Sequence, residues 1–336
     1  MELDAELLQG ARNAVRVCMN VGPQDRVFIT TDEETNDVGR ALEQEARAVG
    51  APVDMVRLEE YGSRPMTQLP EALGARMVGF SPTVTFLAVA AKEGELPLRG
   101  GFSRLALRDL GVRHAHMPTI TAKSMREGMC ADYRQVHELT LRVYEIVRRA
   151  RSIRVTSPNG TDVVAGFDEK LKWIPMGGLY HQQRQWGNLP EGEVFTCPAT
   201  VDGVVVAEVL GDYFSPRYGV LAEPVRFEIA GGHAERVSCR RVEIETELIA
   251  YLDSSENGRR VGEFAIGTNA GLTVLSGLLL QDEKLPGLHI AFGNPYNDMT
   301  GADWTARTHI DVIPTRCSIE VDGVPLMRDG RFILPG

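Results

Sequence analysis

The sequence predicts an α/β N-terminal domain with a largely parallel sheet, followed by an α+β, largely antiparallel domain. Three observations carry this reading: the length, an alternation of short apolar runs with helical patterns early in the chain, and a change to turn-punctuated β patterns later. The 336 residues correspond to about two domains of ~150 residues each, and the change of pattern places the boundary near residue 150. The expected domains are therefore 1–150 and 151–336.

In the first domain, residues 25–30 read as a strand and 36–49 as a helix stopped at Gly50, a residue suited to the left-handed turn that ends helices. Strands follow at 52–58, 86–90 and 112–116, the last after a helical stretch around 103–110. From Asp132, an N-cap residue by type, Val136, Leu139, Val143, Ile146 and Val147 form a helical stripe. It runs into Arg148, Arg149 and Arg151, whose charges complement a helix C-terminus. In the second domain, turns at Pro158-Asn159-Gly160, Gly231-Gly232 and Asp322-Gly323 each separate two β-like runs. Helices are expected at 241–252 and 270–279.

Composition excludes several classes of function. Hydrophobic residues are 43% and charged residues 24%, as in soluble globular proteins, and no run approaches the ~18–20 apolar residues of a membrane span. Glu2, Asp4 and Glu6 stand where a secretory signal needs basic and then apolar residues, so a cytoplasmic protein is expected. The five cysteines are scattered, odd in number and without C-x-x-C spacing, which argues against disulfides and thiolate zinc sites. Residues 1–150 carry 19 basic and 21 acidic side chains and 151–336 carry 17 and 25, so the acidity sits in the second half. An acidic chain disfavours nucleic-acid binding. Phosphate-binding glycine motifs and a G-x-S-x-G elbow are both missing. His114 and His116 share one strand face, and His181 precedes the first motif described next; structural or rim roles are the default for these.

Four separated pieces of the second half each offer a metal-binding side chain. Asn188-Leu-Pro-Glu-Gly-Glu-Val-Phe-Thr-Cys-Pro198 opens an apolar strand with Glu193. Arg260-Val-Gly-Glu-Phe-Ala-Ile-Gly267 embeds Glu263 among apolar residues, where a carboxylate needs a cation. Leu288-His-Ile-Ala-Phe-Gly-Asn-Pro-Tyr296 supplies His289 and, beyond a turn, Tyr296. In Thr308-His-Ile-Asp-Val312 the two-residue period puts His309 and Asp311 on one face of a strand. Two Glu, two His and one Asp form a mixed nitrogen and oxygen set suited to zinc, cobalt, manganese or iron rather than calcium.

The ordered set N-L-P-x-G-E-V-F-T-x-P, G-E-x-A-x-G, H-x-A-x-G-x-x-Y and H-x-D resembles the M29 metallopeptidases, the aminopeptidase T and aminopeptidase S group. The resemblance spans about residues 185–325 and, more loosely, the first half, read as a flavodoxin-like α/β domain. It implies an aminopeptidase acting on a peptide or small amide, with two divalent ions (Zn, Co or Mn) held by Glu193, Glu263, His289, His309 and Asp311. Glu193 or Glu263 would be the general base, and Tyr296 a ligand or a hydroxyl stabilising the transition state. A homodimer is also implied. The sequence departs from the family at Trp304 and Ala306, where an Asn-x-Ser is usual before the H-x-D pair, and in a short interval from Tyr296 to His309. The 2,5-dihydroxypyridine 5,6-dioxygenases resemble the same fold and supply the alternative: one Fe(II) held by His289, His309 and Asp311, with open positions for oxygen and a dihydroxylated ring.

Overall fold

The computed structural model describes residues 3–90, 92–211 and 214–334. It divides into two compact units, one of Met1–His137 with Gly177–Glu191, the other of Glu138–Met176 with Gly192–Gly336. The break falls inside the helix Tyr133–Val147 rather than near residue 150, and a later piece of chain returns to the first unit.

The first unit holds a five-stranded, all-parallel sheet ordered Val53–Arg57, Val27–Thr31, Val84–Val89, Arg113–Pro118, Trp186–Asn188. In chain order this is 2-1-3-4-5, the flavodoxin-like arrangement. Val27–Thr31 and Val84–Val89 are buried along their whole length, as strands covered on both faces must be. The fifth strand lies in the returning piece. Its three residues are too few to show a period, so the sequence did not mark it. At the carboxyl ends of the two central strands, Arg64 is buried between Asp32 and Glu95 and donates to both and to the Ala90 carbonyl.

The second unit is made of two sheets in which every pairing is antiparallel. The eight-stranded sheet runs His233–Ser238, Val225–Ala230, Thr200–Ala207, Asp162–Gly166, Ser152–Thr156, Ser318–Val321, Val324–Arg328, Arg331–Phe332. The six-stranded sheet runs Val209–Leu210, His309–Ile313, Gly287–Gly293, Val261–Gly267, Glu193–Thr196, Ile174–Met176. Both give one face to a common core, which Val143 and Val147 of the helix Tyr133–Val147 and Ile244, Leu248 and Leu252 of the helix Val242–Asp253 also enter. Phe227 of the larger sheet stacks on Phe292 of the smaller at 5.1 Å between ring centres. Each such fully buried side chain stabilises the platform by ~1.5–3 kcal/mol.

The helix expected at 270–279 does not form; a single turn at Leu279–Asp282 replaces it. The reason is local. Asn269 accepts from the Gly271 N–H, and Asp282 accepts from the N–H groups of Ser276 and Gly277, so side chains take the backbone donors a helix would use. Among the described residues, no helix is long and apolar enough to cross a membrane.

Candidate metal centre

All five predicted ligands stand on one face of the six-stranded sheet. Alternation explains this. On the back of the strands, Val194, Phe264, Ile266, Ile290, Phe292, Ile310 and Val312 enter the core; the residues between them face the other way. Glu193, Glu263, Ala265, His289, Ala291, His309 and Asp311 occupy that second face. The alanines leave room between the longer side chains. Asp311 lies opposite Ala291, which lies opposite Glu263, and His289 lies opposite Ala265.

One irregularity aims Glu263. A strict two-residue period would put it on the same face as Val261, yet Val261 is in the core. The register shifts between them, Val261 facing Phe292 and Glu263 facing Ala291, so a bulge at Gly262 turns the carboxylate to the open face. Bulged and partner chains come close there. Gly293 has φ +104° and bonds to the Arg260 carbonyl, and a side chain at this position would collide with the Thr308 carbonyl oxygen.

The side chains form two triplets that share Glu263. In the first, His289 Nε2 is 3.4 Å from Glu193 Oε2 and 3.5 Å from Glu263 Oε1. In the second, His309 Nε2 is 3.5 Å from Glu263 Oε2 and 3.6 Å from Asp311 Oδ1. The ligand atoms of each triplet lie within 4.8 Å of one another. A tetrahedral ion with bonds of ~2.1 Å separates its ligand atoms by ~3.4 Å, so each triplet fits one small divalent cation. The acids are 5–6% exposed and Glu193 Oε2 is buried without a hydrogen-bond partner, the state of a carboxylate whose natural partner is a cation.

Electrostatics agree. Burial alone would depress His289, but the hydrogen bond to Glu263 and the charges of Glu193, Glu263 and Asp311 raise its pKa to about 9. His309 is raised to about 10, against burial, by Asp311, Glu263 and the Asn294 carbonyl. Asp311 is held below the usual carboxylate range, again against burial, chiefly by His309. Protons on the two imidazoles thus balance part of the carboxylate charge. His309 Nδ1 donates to the Asn294 carbonyl at 2.9 Å, which fixes the ring and points Nε2 at the carboxylates.

Tyr296 sits at the edge of the cluster with a left-handed backbone (φ 49°), 41% exposed, its ring 4.8 Å from that of His309 and 5.9 Å from that of Phe195. Trp304, at one of the departing positions, lies under the Arg260 guanidinium at 4.3 Å.

Two participants escaped the sequence reading. Lys284 is 1% exposed, with Nζ 2.7 Å from Glu193 Oε1 and 2.9 Å from Glu283 Oε1. Glu283 is pushed above the usual carboxylate range by burial and by Asp311 and Glu193, with Lys284 opposing. In the sequence they are two charges in a polar turn; the signal was Gly267, since a side chain there would collide with the Leu285 carbonyl. Of the other histidines, His114 is fully buried, contacts Thr85 and Ser103, and is pushed down to about 3 by burial, a neutral core residue. His116 packs edge-on against the rings of His114 and Trp186. His181 is exposed and bonds to the Val17 carbonyl.

A sequence model of the thermophilic metalloprotease (M29) family matches residues 125–312, more than half of the chain, a range that includes the five predicted ligands. Among solved structures, wild-type AmpT from Thermus thermophilus superposes with a TM-score of 0.71 at 20% identity, covering 98% of this chain and 99% of that one. The 2,5-dihydroxypyridine dioxygenase from Pseudomonas putida KT2440 also scores 0.71, at 16% identity and 98% and 97% coverage. At these identities the likeness establishes the fold. No curated protein matches the sequence significantly.

Proposed function

Because the chain belongs to the thermophilic metalloprotease (M29) family, we propose that it is a metal-dependent aminopeptidase hydrolysing N-terminal peptide bonds. The observation that carries this reading is Glu263, which offers one oxygen to each of two ligand triplets and so suits a pair of adjacent cations. A single Fe(II) held by His289, His309 and Asp311 would leave both buried glutamates without a task. The cations, bound to Glu193, Glu263, His289, His309 and Asp311, supply Lewis acidity and a water of lowered pKa.

The chain's own groups do the rest. Proton acceptance from the attacking water falls to one of the two buried glutamates, Glu193 or Glu263. The Tyr296 hydroxyl, at the exposed edge, donates to the oxygen that gains charge as the amide carbon becomes tetrahedral. A free amino group of the substrate would bind one of the cations or a carboxylate at the cluster, which directs attack to the first peptide bond. The expected substrate is a peptide or small amide, and the expected assembly a homodimer, which light scattering checks.

The test is metal reconstitution of chelator-treated protein under anaerobic conditions. About two zinc, cobalt or manganese ions per chain and cleavage of aminoacyl-p-nitroanilides are expected. One ferrous ion per chain with oxygen uptake on 2,5-dihydroxypyridine would overturn the proposal in favour of the ring-cleaving alternative, whose support is the equal structural likeness of the dioxygenase.

A further inference from the structure

We propose that Lys284 makes the two cation positions unequal, so that the position between Glu263, His309 and Asp311 fills first and the one between Glu193, Glu263 and His289 fills second. This rests on the two-cation reading above and deepens it.

The argument begins with the backbone. Gly267 ends its strand in register with Glu193 on one side and Gly287 on the other, and this row of the sheet has no side chain in its middle. The bare row admits the turn that follows Leu279–Asp282. The Asn269 N–H donates to the Lys284 carbonyl, pinning the turn to the end of the strand. Lys284 is thereby delivered to the cluster with its ammonium almost wholly removed from water.

That ammonium touches one triplet. It binds Glu193 Oε1 at 2.7 Å and Glu283 Oε1 at 2.9 Å, while Glu193 Oε2 turns toward His289. Lys284 therefore holds Glu193 by one oxygen and leaves the other for a cation. It also places a fixed positive charge one carboxylate away from that cation. Among the described residues, the ion pairs of Glu263 and Asp311 in the second triplet are with histidine. Lys284 acts on Asp311 only at longer range. Like charges a few ångströms apart and shielded from water repel strongly, enough for a difference of at least ~10-fold between the two binding constants. Lys284 is a positioning residue; nothing in the argument needs it to touch substrate.

The experiment titrates chelator-treated full-length protein with CoCl2, followed by calorimetry and by visible absorption of the bound ion. Two classes of site at least ~10-fold apart are expected in the unmodified chain, the weaker one lost in Glu193→Gln. Lys284→Met is expected to tighten the weaker class ~10-fold or more and leave the stronger within ~3-fold, and Lys284→Arg to restore the separation. Two classes of equal affinity, or loss of the stronger class in Glu193→Gln, would overturn the inference and leave the two-cation reading standing. Failure of the unmodified chain to bind cobalt would overturn both.

Discussion

The two units bury acids in opposite ways. In the parallel-sheet unit, Asp32 and Glu95 are at most 1% exposed, and Arg64 is placed between them. The remaining oxygen capacity is taken by backbone N–H groups: Thr35 and Ala90 donate to Asp32, Met66 to Glu95. In the antiparallel unit, Glu193, Glu263 and Asp311 are buried almost as deeply, but they face two imidazoles and one ammonium, and a carboxylate oxygen is left unbonded. Asp32 and Glu95 are satisfied by an arginine and backbone donors, although Glu59 beside Arg64 keeps one buried oxygen unbonded; the second cluster gathers three acids around imidazoles and an ammonium, with room for added positive charge. A buried acid is thus no sign of function until its partners are counted.

The largest expected effect tests the second cluster. Glu263→Gln removes the carboxylate common to both triplets and should lower kcat on a p-nitroanilide substrate by ~10³-fold or more, with bound cobalt or zinc falling in parallel and the far-ultraviolet circular dichroism unchanged. Retention of both ions would break the claim that Glu263 joins the triplets.

The first cluster should respond through stability. Arg64→Met strands two buried carboxylates and should cost ~3–5 kcal/mol in chemical denaturation, while the protein that remains folded keeps its metal content. A loss of metal without a loss of stability would erase the contrast between the clusters.

A third expectation concerns pH. In the metal-free chain His289 and His309 titrate at about 9 and about 10, above the ordinary 6.5, so their protonation stabilises the fold. That contribution is fully present below about pH 6.5 and is lost as pH rises through the raised values. Thermal melts of chelator-treated protein should accordingly show Tm falling between about pH 7 and 10. Added zinc should abolish the decline, because cations then take the place of the protons. The smallest effect is expected at the edge: Tyr296→Phe should lower kcat by ~10–100-fold with metal stoichiometry intact.

Much of this was legible in the sequence, for reasons that particular residues make plain. His309 and Asp311 share a face because strands alternate, and Glu263 among apolar neighbours announced a buried charge. The four motifs read as β-like segments, and each forms a strand. What was hidden depended on partners distant in the chain. Glu193–Thr196 pairs with Val261–Gly267, and no local pattern states that neighbour. The bulge at Gly262 is visible only in the register. Lys284 and Glu283 read as turn charges, next to a segment whose apolar spacing suggested a helix but whose Asn269 and Asp282 side chains hold it in turns. The strand Trp186–Asn188 was invisible because three residues carry no period.

That short strand bears on how such a chain can be recombined. Its pairing with Arg113–Pro118 completes the first sheet from a point beyond the opening strands of the second unit, so neither unit is one continuous stretch of gene. A split at residue 150 would deprive the first piece of its edge strand and hand the other a stray one. Exchange between relatives has to move Met1–His137 together with Gly177–Glu191, or replace the chain whole.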